Sequence, residues 1–493
     1  MWHPSDFEVA TARRLLVVVG LGYLVVQLLA FSLDRPPSWD EAIYLSQVAP
    51  GAEALPFVPS RARGITFLAL PVLQLGGSLL QLRIFLAVAS AVALTGAFRM
   101  WARVIGFGAV AAAVLFAGAW PALFYGSELM PNLWVAIIAV AATAVLGRRL
   151  ARGEGRYDEL AAGGLVAVAA MIRPLDAVVL TAALVLLPFA VRRATVSWVA
   201  FLGLGLAAGW GPWLVEMTGR FGSPAEAFAA AARLGHTGRW SLFENVRQYL
   251  ALSDGPSIGP VANPDVPASG VLWLLGLAIL VTLGLRLATS RGLLTSLVVP
   301  TAAGVALAAE YVVFTDAQAP RFLLPALALL TIPAGFGLAS MLVRARDPEG
   351  SPAARVAPIV AAALVVGWGI FQFVVATRVE AGVTEQRASA QRVGVGIREL
   401  AARQPCLVYS EANFPIVGYA AGCRAAPLGK ALGTWGDRAR RLEAEGIRPF
   451  LVLLRARAAP PPEGATLLAE IPAREKLQWF IYGGIGDVAT SPA

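Results

Sequence analysis

The sequence predicts an α-helical polytopic membrane protein of about eleven transmembrane helices, followed by a small extracytoplasmic α/β domain. The 493-residue chain is 57% hydrophobic and only 14% charged, whereas ordinary soluble domains carry about 25% charged residues. The apolar residues form long separate runs, and arginines cluster in the short segments between them. Too little polar surface is available to cover a soluble globule. This composition therefore excludes a soluble enzyme, a disordered chain and a secreted disulfide-rich scaffold.

The apolar runs have roughly the length needed to cross a bilayer. They cover residues 14–33, 79–98, 106–124, 129–147, 159–172, 175–191, 195–216, 270–287, 292–313, 321–343 and 356–377. The first run is longer than the ~7–15 apolar residues of a signal peptide, which favours an uncleaved anchor. Residues 64–76 form a shorter run, for which we expect an interfacial or re-entrant segment.

The arginines set the predicted orientation. Alternate connections between the runs are rich in arginine, as at Arg99/Arg103, Arg148/Arg149 and Arg192/Arg193. Because basic residues are concentrated in cytoplasmic loops, the pattern places the N-terminus in the cytoplasm. Eleven spans then place the segment after the last span outside the cytoplasm. The net charge of +9 is accounted for by this pattern, and we expect no nucleic-acid partner.

The composition changes near residue 378, where charged residues become frequent. The boundary predicts a transmembrane domain over 1–377, with external loops over about 34–63 and 217–269, and an α/β domain over 378–493. We expect strands over 406–410, 449–454, 466–471 and 476–482, and helices over 384–403 and 435–446. Cys406 and Cys423 are the only cysteines. Outside the cytoplasm they are expected to form a disulfide; two unpaired thiols are the alternative.

Acidic and basic side chains recur at the predicted outer face. Ionisable groups at that depth are costly, and they usually face a cavity within the protein. Two acids follow the first span, one precedes the fourth, and single arginines stand between the fifth and sixth spans and at the start of the tenth. Two more arginines flank the re-entrant segment. In chain order the candidates are Asp40, Glu41, Arg61, Arg63, Glu128, Arg173 and Arg321.

Carboxylates and arginines at a membrane face suit the transfer of a sugar from a lipid phosphate. The acceptor hydroxyl needs a general base, which a carboxylate provides. The leaving phosphate needs positive charge, and arginine matches phosphate oxygens with two hydrogen bonds. The lipid tail needs an apolar groove at the membrane edge, which the spans can supply.

At these residues the chain resembles the GT-C glycosyltransferases, such as protein O-mannosyltransferases, aminoarabinose transferases and arabinofuranosyltransferases. The resemblance lies in Trp39–Tyr44 (WDEAIY), Ser127–Glu128, Arg321–Pro325 (RFLLP) and the external C-terminal domain. It implies a polyprenyl-phosphate sugar donor and an inverting single displacement with Asp40 as the base. Relatives often have Asp where this chain has Glu128, so its role in acceptor binding or in holding a divalent cation is left open.

Each candidate also has a structural interpretation. Asp40 and Glu41 are well placed to stabilise a helix N-terminus. Glu128 could be a solvated interfacial acid, and Arg173, Arg321, Arg61 and Arg63 could contact lipid headgroups. The alternative functions are a transporter or flippase of a lipid-linked anion, or a membrane scaffold. The sugar is open between arabinofuranose, mannose and others, and the acceptor between a glycan, a glycolipid and a protein.

Overall fold

The computed structural model describes residues 4–153, 155–233, 242–255, 257–260, 264–315, 318–344, 352–456, 463–473 and 477–484. The chain forms two compact units. The membrane unit contains Met1–Phe31, Pro59–Ile65 and Ile84–Val379, and the C-terminal unit contains Ser32–Val58, Thr66–Arg83 and Glu380–Ala493. The predicted boundary at 377/378 assigned only the last of these segments to the C-terminal domain, whereas the structure adds two segments from the first loop and the residues that follow it, up to Arg83.

Long apolar helices dominate the membrane unit, and eight helices of the described residues are long and apolar enough to cross a membrane. Its helices are α1 (Asp6–Ala30), α4 (Leu79–Ile105), α5 (Gly108–Ala117), α6 (Trp120–Tyr125), α7 (Pro131–Arg152), α8 (Asp158–Ile172), α9 (Pro174–Ala190), α10 (Val196–Phe221), α11 (Pro224–Arg233), α12 (Leu242–Ala251), α13 (Ala268–Leu287), α14 (Arg291–Phe314), α15 (Leu324–Arg344) and the start of α16 (Pro352–Ala401). The first five residues of α4 belong to the C-terminal unit. The fold is thus a polytopic α-helical membrane protein.

The third predicted span differs from the structure. Residues 106–124 form two short helices, α5 and α6, because the chain is extended at Ala119 between them. The break leaves the Trp120 backbone N–H without an intrahelical acceptor, and the side-chain oxygen of Gln372 accepts its hydrogen bond at 2.9 Å. Hydrophobicity alone does not report such an interruption, because both short helices are fully apolar.

Three prolines mark the helix starts next to the candidate residues. Pro131 begins α7, Pro174 begins α9, and Pro320 begins a short 3-10 turn, Pro320–Leu323, that leads into α15. The residues before them, Met130, Arg173 and Ala319, all have extended backbones. Proline disfavours the helical conformation of the preceding residue, so each helix begins sharply at one of these turns.

The last helix, α16, is one continuous element of 50 residues, about 75 Å long at 1.5 Å per residue. The sequence predicted an apolar span over 356–377 and a separate polar helix over 384–403. Both segments are helical, but no proline occurs between Pro358 and Ala401 to separate them. The change in composition therefore marks a change of environment along one helix.

The C-terminal unit is built on a five-stranded sheet of order β2-β1-β3-β5-β4. Its strands are β1 (Cys406–Ser410), β2 (Arg424–Pro427), β3 (Arg448–Arg455), β4 (Thr466–Pro472) and β5 (Gln478–Gly483). β1 pairs in parallel with β2 and β3, whereas β3, β5 and β4 pair antiparallel. The four predicted strands are present. The unit also contains the short helix α17 (Phe414–Ala421). The four-residue β2 was not predicted, because it is too short to show a period.

The other elements of this unit are α18 (Trp435–Ala444), which was predicted, and α2 (Trp39–Ser46) and α3 (Thr66–Gln74) from the first loop. The segment predicted as re-entrant contains α3. Trp39 meets Phe414 edge-on, with ring centroids 4.8 Å apart, so that α2 packs on α17. Cys406 and Cys423 form a disulfide that joins β1 to the residue before β2.

Candidate active site

The first-loop acids lie in the first turn of α2. The hydroxyl of Ser38 accepts a hydrogen bond from the Glu41 backbone N–H, and the Glu41 carboxylate accepts one from the Ser38 backbone N–H. This capping box fixes where the helix starts. Asp40, in the same turn, has a half-buried side chain.

Glu41 has a very different environment from its neighbour. Its carboxylate receives two hydrogen bonds from the guanidinium of Arg83, one of them 2.8 Å long, and both side chains are fully buried. A buried charge is tolerated only with a partner and hydrogen bonds of this kind. Glu41 and Arg83 thus tie α2 to the start of α4.

In the membrane unit, Arg173 occupies the turn between α8 and α9. Its Nε donates to the Asp176 carboxylate at 2.9 Å, and its Nη2 donates to the hydroxyl of Tyr311 at the end of α14. The Tyr311 hydroxyl in turn donates to Asp176. Asp176 and Tyr311 are both buried. The guanidinium is therefore held in one orientation from two sides.

An aromatic pair joins Arg173 to Arg321. The rings of Tyr311 and Phe322 are stacked, with centroids 5.0 Å apart and planes 12° from parallel. The Arg173 guanidinium carbon lies 5.6 Å from the Phe322 ring centroid, and that of Arg321 lies 4.9 Å from it. Two cations at one ring are favourable individually but repel one another. Asp176 pairs with Arg173 and offsets one of the two charges, while the two guanidinium groups together present several N–H donors at this end of the unit.

Two further side chains complete this cluster. Tyr249 of α12 is buried and interacts electrostatically with both arginines. Burial raises the pKa of the Tyr249 phenol well above its usual value, so the phenol stays protonated and can donate a hydrogen bond. Glu310 interacts electrostatically with Asp176 and Arg173.

The loop of residues 59–65 packs beside the Arg173 turn. A Cβ on Gly64 would lie 2.4 Å from the Met171 carbonyl oxygen, so only glycine permits this approach. Arg63 in this loop makes two 2.8 Å hydrogen bonds to the Glu216 carboxylate. The backbone carbonyl of Arg61 accepts a hydrogen bond from Trp213. Both arginines thus lie at the end of the unit that carries Arg173.

Glu128 is fully buried in the turn between α6 and α7. The 3-10 turn that carries Arg321 packs against both of these helices. Glu128 and Arg321 are therefore at the same end of the membrane unit. A solvated interfacial acid, the structural alternative for Glu128, does not fit this burial.

The candidates are divided between the two units. The membrane unit brings Arg61, Arg63, Glu128, Arg173 and Arg321 to one end, while Asp40 and Glu41 belong to the C-terminal unit. Among the described residues, no three His, Cys, Asp or Glu side chains form a metal-binding group.

Sequence reasoning did not find the residues that hold the candidates in place. The sequence contains only a weak indication that Asp176 pairs with Arg173: it follows Arg173 by three residues, in the first turn of a helix. Tyr311, Phe322, Tyr249 and Glu216 lie in other segments of the chain. Only the folded structure brings them to the arginines.

Known proteins were compared with the whole chain. No protein-family model and no curated protein sequence matches it. Among solved structures, it is similar to ArnT from Cupriavidus metallidurans bound to undecaprenyl phosphate, with a TM-score of 0.65 and 14% identity over 97% of this chain and 99% of that one.

Two other solved structures have a similar fold. The archaeal oligosaccharyltransferase AglB from Archaeoglobus fulgidus, in complex with an inhibitory peptide and a dolichol-phosphate, gives a TM-score of 0.57 at 12% identity, over 91% of this chain and 70% of that one. The mycobacterial arabinofuranosyltransferase AftD gives 0.55 at 14% identity, over 96% of this chain and 40% of AftD. The resemblance predicted from the sequence is confirmed at the level of fold: this chain has the GT-C fold of these membrane glycosyltransferases.

Proposed function

We propose that the protein is an inverting glycosyltransferase that moves a sugar from a polyprenyl-phosphate donor to an acceptor hydroxyl at the outer membrane face. One observation carries the proposal: the guanidinium groups of Arg173 and Arg321 lie 5.6 and 4.9 Å from the centre of the Phe322 ring, which stacks on Tyr311 at one end of the membrane unit. Such a concentration of guanidinium groups suits a phosphate. The GT-C fold supports the same assignment, since ArnT was solved with undecaprenyl phosphate and AglB with a dolichol-phosphate.

In the reaction, the acceptor oxygen attacks the anomeric carbon of the sugar and the bond from that carbon to the phosphate oxygen breaks. The polyprenyl phosphate leaves with the electron pair, and Arg173 and Arg321 stabilise its charge. The phenol of Tyr249 adds an uncharged hydrogen-bond donor to this site. Because the guanidinium of Arg173 is already oriented by Asp176 and Tyr311, little reorganisation is needed as the charge develops.

The acceptor hydroxyl must lose a proton as it attacks. Asp40 is the proposed base, because it lies in the first turn of a capped helix and is only half-buried. Glu41 cannot easily take this role while its carboxylate is bound by Arg83. Glu128 is proposed to assist the acceptor or to bind a divalent cation, and Arg61 and Arg63 to add positive charge near the donor phosphate.

The proposed function is tested with purified protein and membrane lipid extract. Mass spectrometry of copurifying lipids should find a polyprenyl phosphate or its glycoside, and less of it with Arg173→Ala than with the control Arg286→Ala at the end of α13. Incubation with an extract containing polyprenyl-phosphate sugars should release polyprenyl phosphate only when acceptor is present. Movement of the intact lipid-linked sugar between leaflets of a vesicle, with no release, would instead indicate a flippase.

A further inference from the structure

The C-terminal unit contains a cavity that the proposed reaction has not used. Its volume is about 570 Å³, within the range of about 300–1,000 Å³ for small-molecule sites. One wall is formed by Gln391, Val395 and Arg398, which lie on one face of α16 at spacings of four and three residues. The opposite wall is the α17 segment, and the first loop closes the cavity on a third side.

The lining carries a small set of polar groups on an otherwise aliphatic surface. Arg398 is the only charged side chain among the lining residues, and Gln391 and Tyr419 supply an amide and a phenol. The guanidinium of Arg398 is fixed by a hydrogen bond to the carbonyl oxygen of Ala420 near the end of α17. Apart from these groups the walls are aliphatic, with prolines, small residues and branched side chains.

Arg398, as the one charged side chain of the lining, favours an anion. The Glu41 carboxylate interacts electrostatically with Tyr419, and Arg83 neutralises it. Burial and this carboxylate raise the pKa of the Tyr419 phenol, while Arg398 opposes the shift. Tyr419 therefore stays protonated at neutral pH and can donate a hydrogen bond.

The position of the cavity connects it to the proposed base. Pro37, just before α2, and residues 49–52, which follow α2, both contribute to the lining. A ligand in the cavity would therefore lie beside the helix that carries Asp40. Amide, phenol and guanidinium groups among aliphatic walls suit a sugar, whose hydroxyls form hydrogen bonds and whose C–H faces pack on apolar surface.

From this juxtaposition we propose that the cavity binds the acceptor, and that the acceptor is a glycan bearing an anionic substituent next to Arg398. The identification of this ligand as the acceptor rests on the proposed function. Binding itself can be measured without any transfer.

The test uses the full chain in neutral detergent with three probes: glucuronic acid, mannose 6-phosphate and mannose. Saturation-transfer NMR should show the two anionic sugars bound more tightly than mannose. Arg398→Gln should weaken anionic binding about tenfold or more, since it removes a charge-assisted hydrogen bond. The matched control is Arg392→Gln, on the same helix but outside the lining, which should bind like the wild type.

Equal binding of the three probes, or unchanged binding by Arg398→Gln, would overturn the proposal. Displacement of the anionic sugars by phosphatidylglycerol would also overturn it, because the cavity would then be a lipid-headgroup site. In transfer assays, Arg398→Gln should raise the acceptor KM and leave the donor KM unchanged. If the wild type binds the probes but transfers no sugar under any condition, the proposed function fails and the cavity remains a glycan site.

Discussion

Adjacent residues in α2 differ in burial, and this difference favours one of them as the proposed base. The Glu41 carboxylate is fully buried and bound by Arg83, whereas Asp40 is half-buried on the same turn. A base must exchange protons with its substrate, and a carboxylate locked in a buried ion pair is poorly suited to that. Glu41 and Arg83 instead fix the helix that carries Asp40, the proposed base.

The buried ion pair of Glu41 and Arg83 leads to a prediction about stability. Arg83→Met leaves Glu41 buried without its partner and should lower the free energy of unfolding by about 3–5 kcal/mol. The double variant Glu41→Gln/Arg83→Met should recover much of the loss, because no unpaired charge remains. Thermal unfolding of the detergent-solubilised variants measures both. Equal melting temperatures for Arg83→Met and the wild type would contradict a structural ion pair.

At the arginine cluster, geometry should matter as much as charge. Arg321→Lys keeps the positive charge but loses the planar fork and the ring contact with Phe322. Donor binding should weaken and turnover should fall, by about tenfold or more in kcat/KM. Arg286→Lys, in the last turn of α13, is the control and should behave like the wild type. Normal kinetics for Arg321→Lys would mean that Arg321 only anchors its helix.

The candidate residues could be predicted from the sequence because they are ionisable groups at the ends of apolar runs, on the predicted outer face. Asp176 and Tyr311 could not, because their partner Arg173 is reached only by folding: Tyr311 lies 138 residues from it in the chain. The ion pair of Glu41 was equally hard to predict, because Arg83 lies in an apolar run, where an arginine is typical of the membrane interface.

Among the elements, the helices were predictable where apolar runs are long and interrupted by proline. Hydropathy located α7, α9 and α10 to within a few residues, because Pro131, Pro174 and the Thr195 cap set their starts. It failed at α5 and α6, which are separated at Ala119. There the backbone N–H of Trp120 donates a hydrogen bond to the Gln372 side chain of α16. It also divided α16 in two, because composition changes there while helical geometry does not.

The disulfide between Cys406 and Cys423, at the sheet of the C-terminal unit, can be tested directly. Thiol labelling of denatured, unreduced protein should find no free thiols, and reduction should release two. The double variant Cys406→Ser/Cys423→Ser should lose roughly 3 kcal/mol of stability in the chain-entropy model, given the 17-residue separation. Two reactive thiols before reduction would contradict the bridge and the oxidising location that it implies.

For the whole molecule, the arginine pattern predicts the orientation. With the N-terminus in the cytoplasm, a peptide tag fused to the C-terminus should be cleaved by protease added to intact spheroplasts and protected in inverted vesicles. A tag at the N-terminus is the matched control and should show the reverse. Cleavage of the C-terminal tag only in inverted vesicles would place the sheet domain, and Asp40 with it, in the cytoplasm.

The central claim is that Asp40 is the base in a transfer from polyprenyl phosphate, and Asp40→Asn tests it most directly. The helix cap is formed by Ser38 and Glu41, which Asp40→Asn leaves unchanged, so the fold and donor binding should persist. Because the amide cannot accept the proton, turnover should fall about 10²–10⁴-fold. The measurement is release of polyprenyl phosphate in the presence of acceptor, with donor binding measured alongside. Near-normal release by Asp40→Asn would contradict the mechanism, whereas loss of release with intact donor binding is the result we expect.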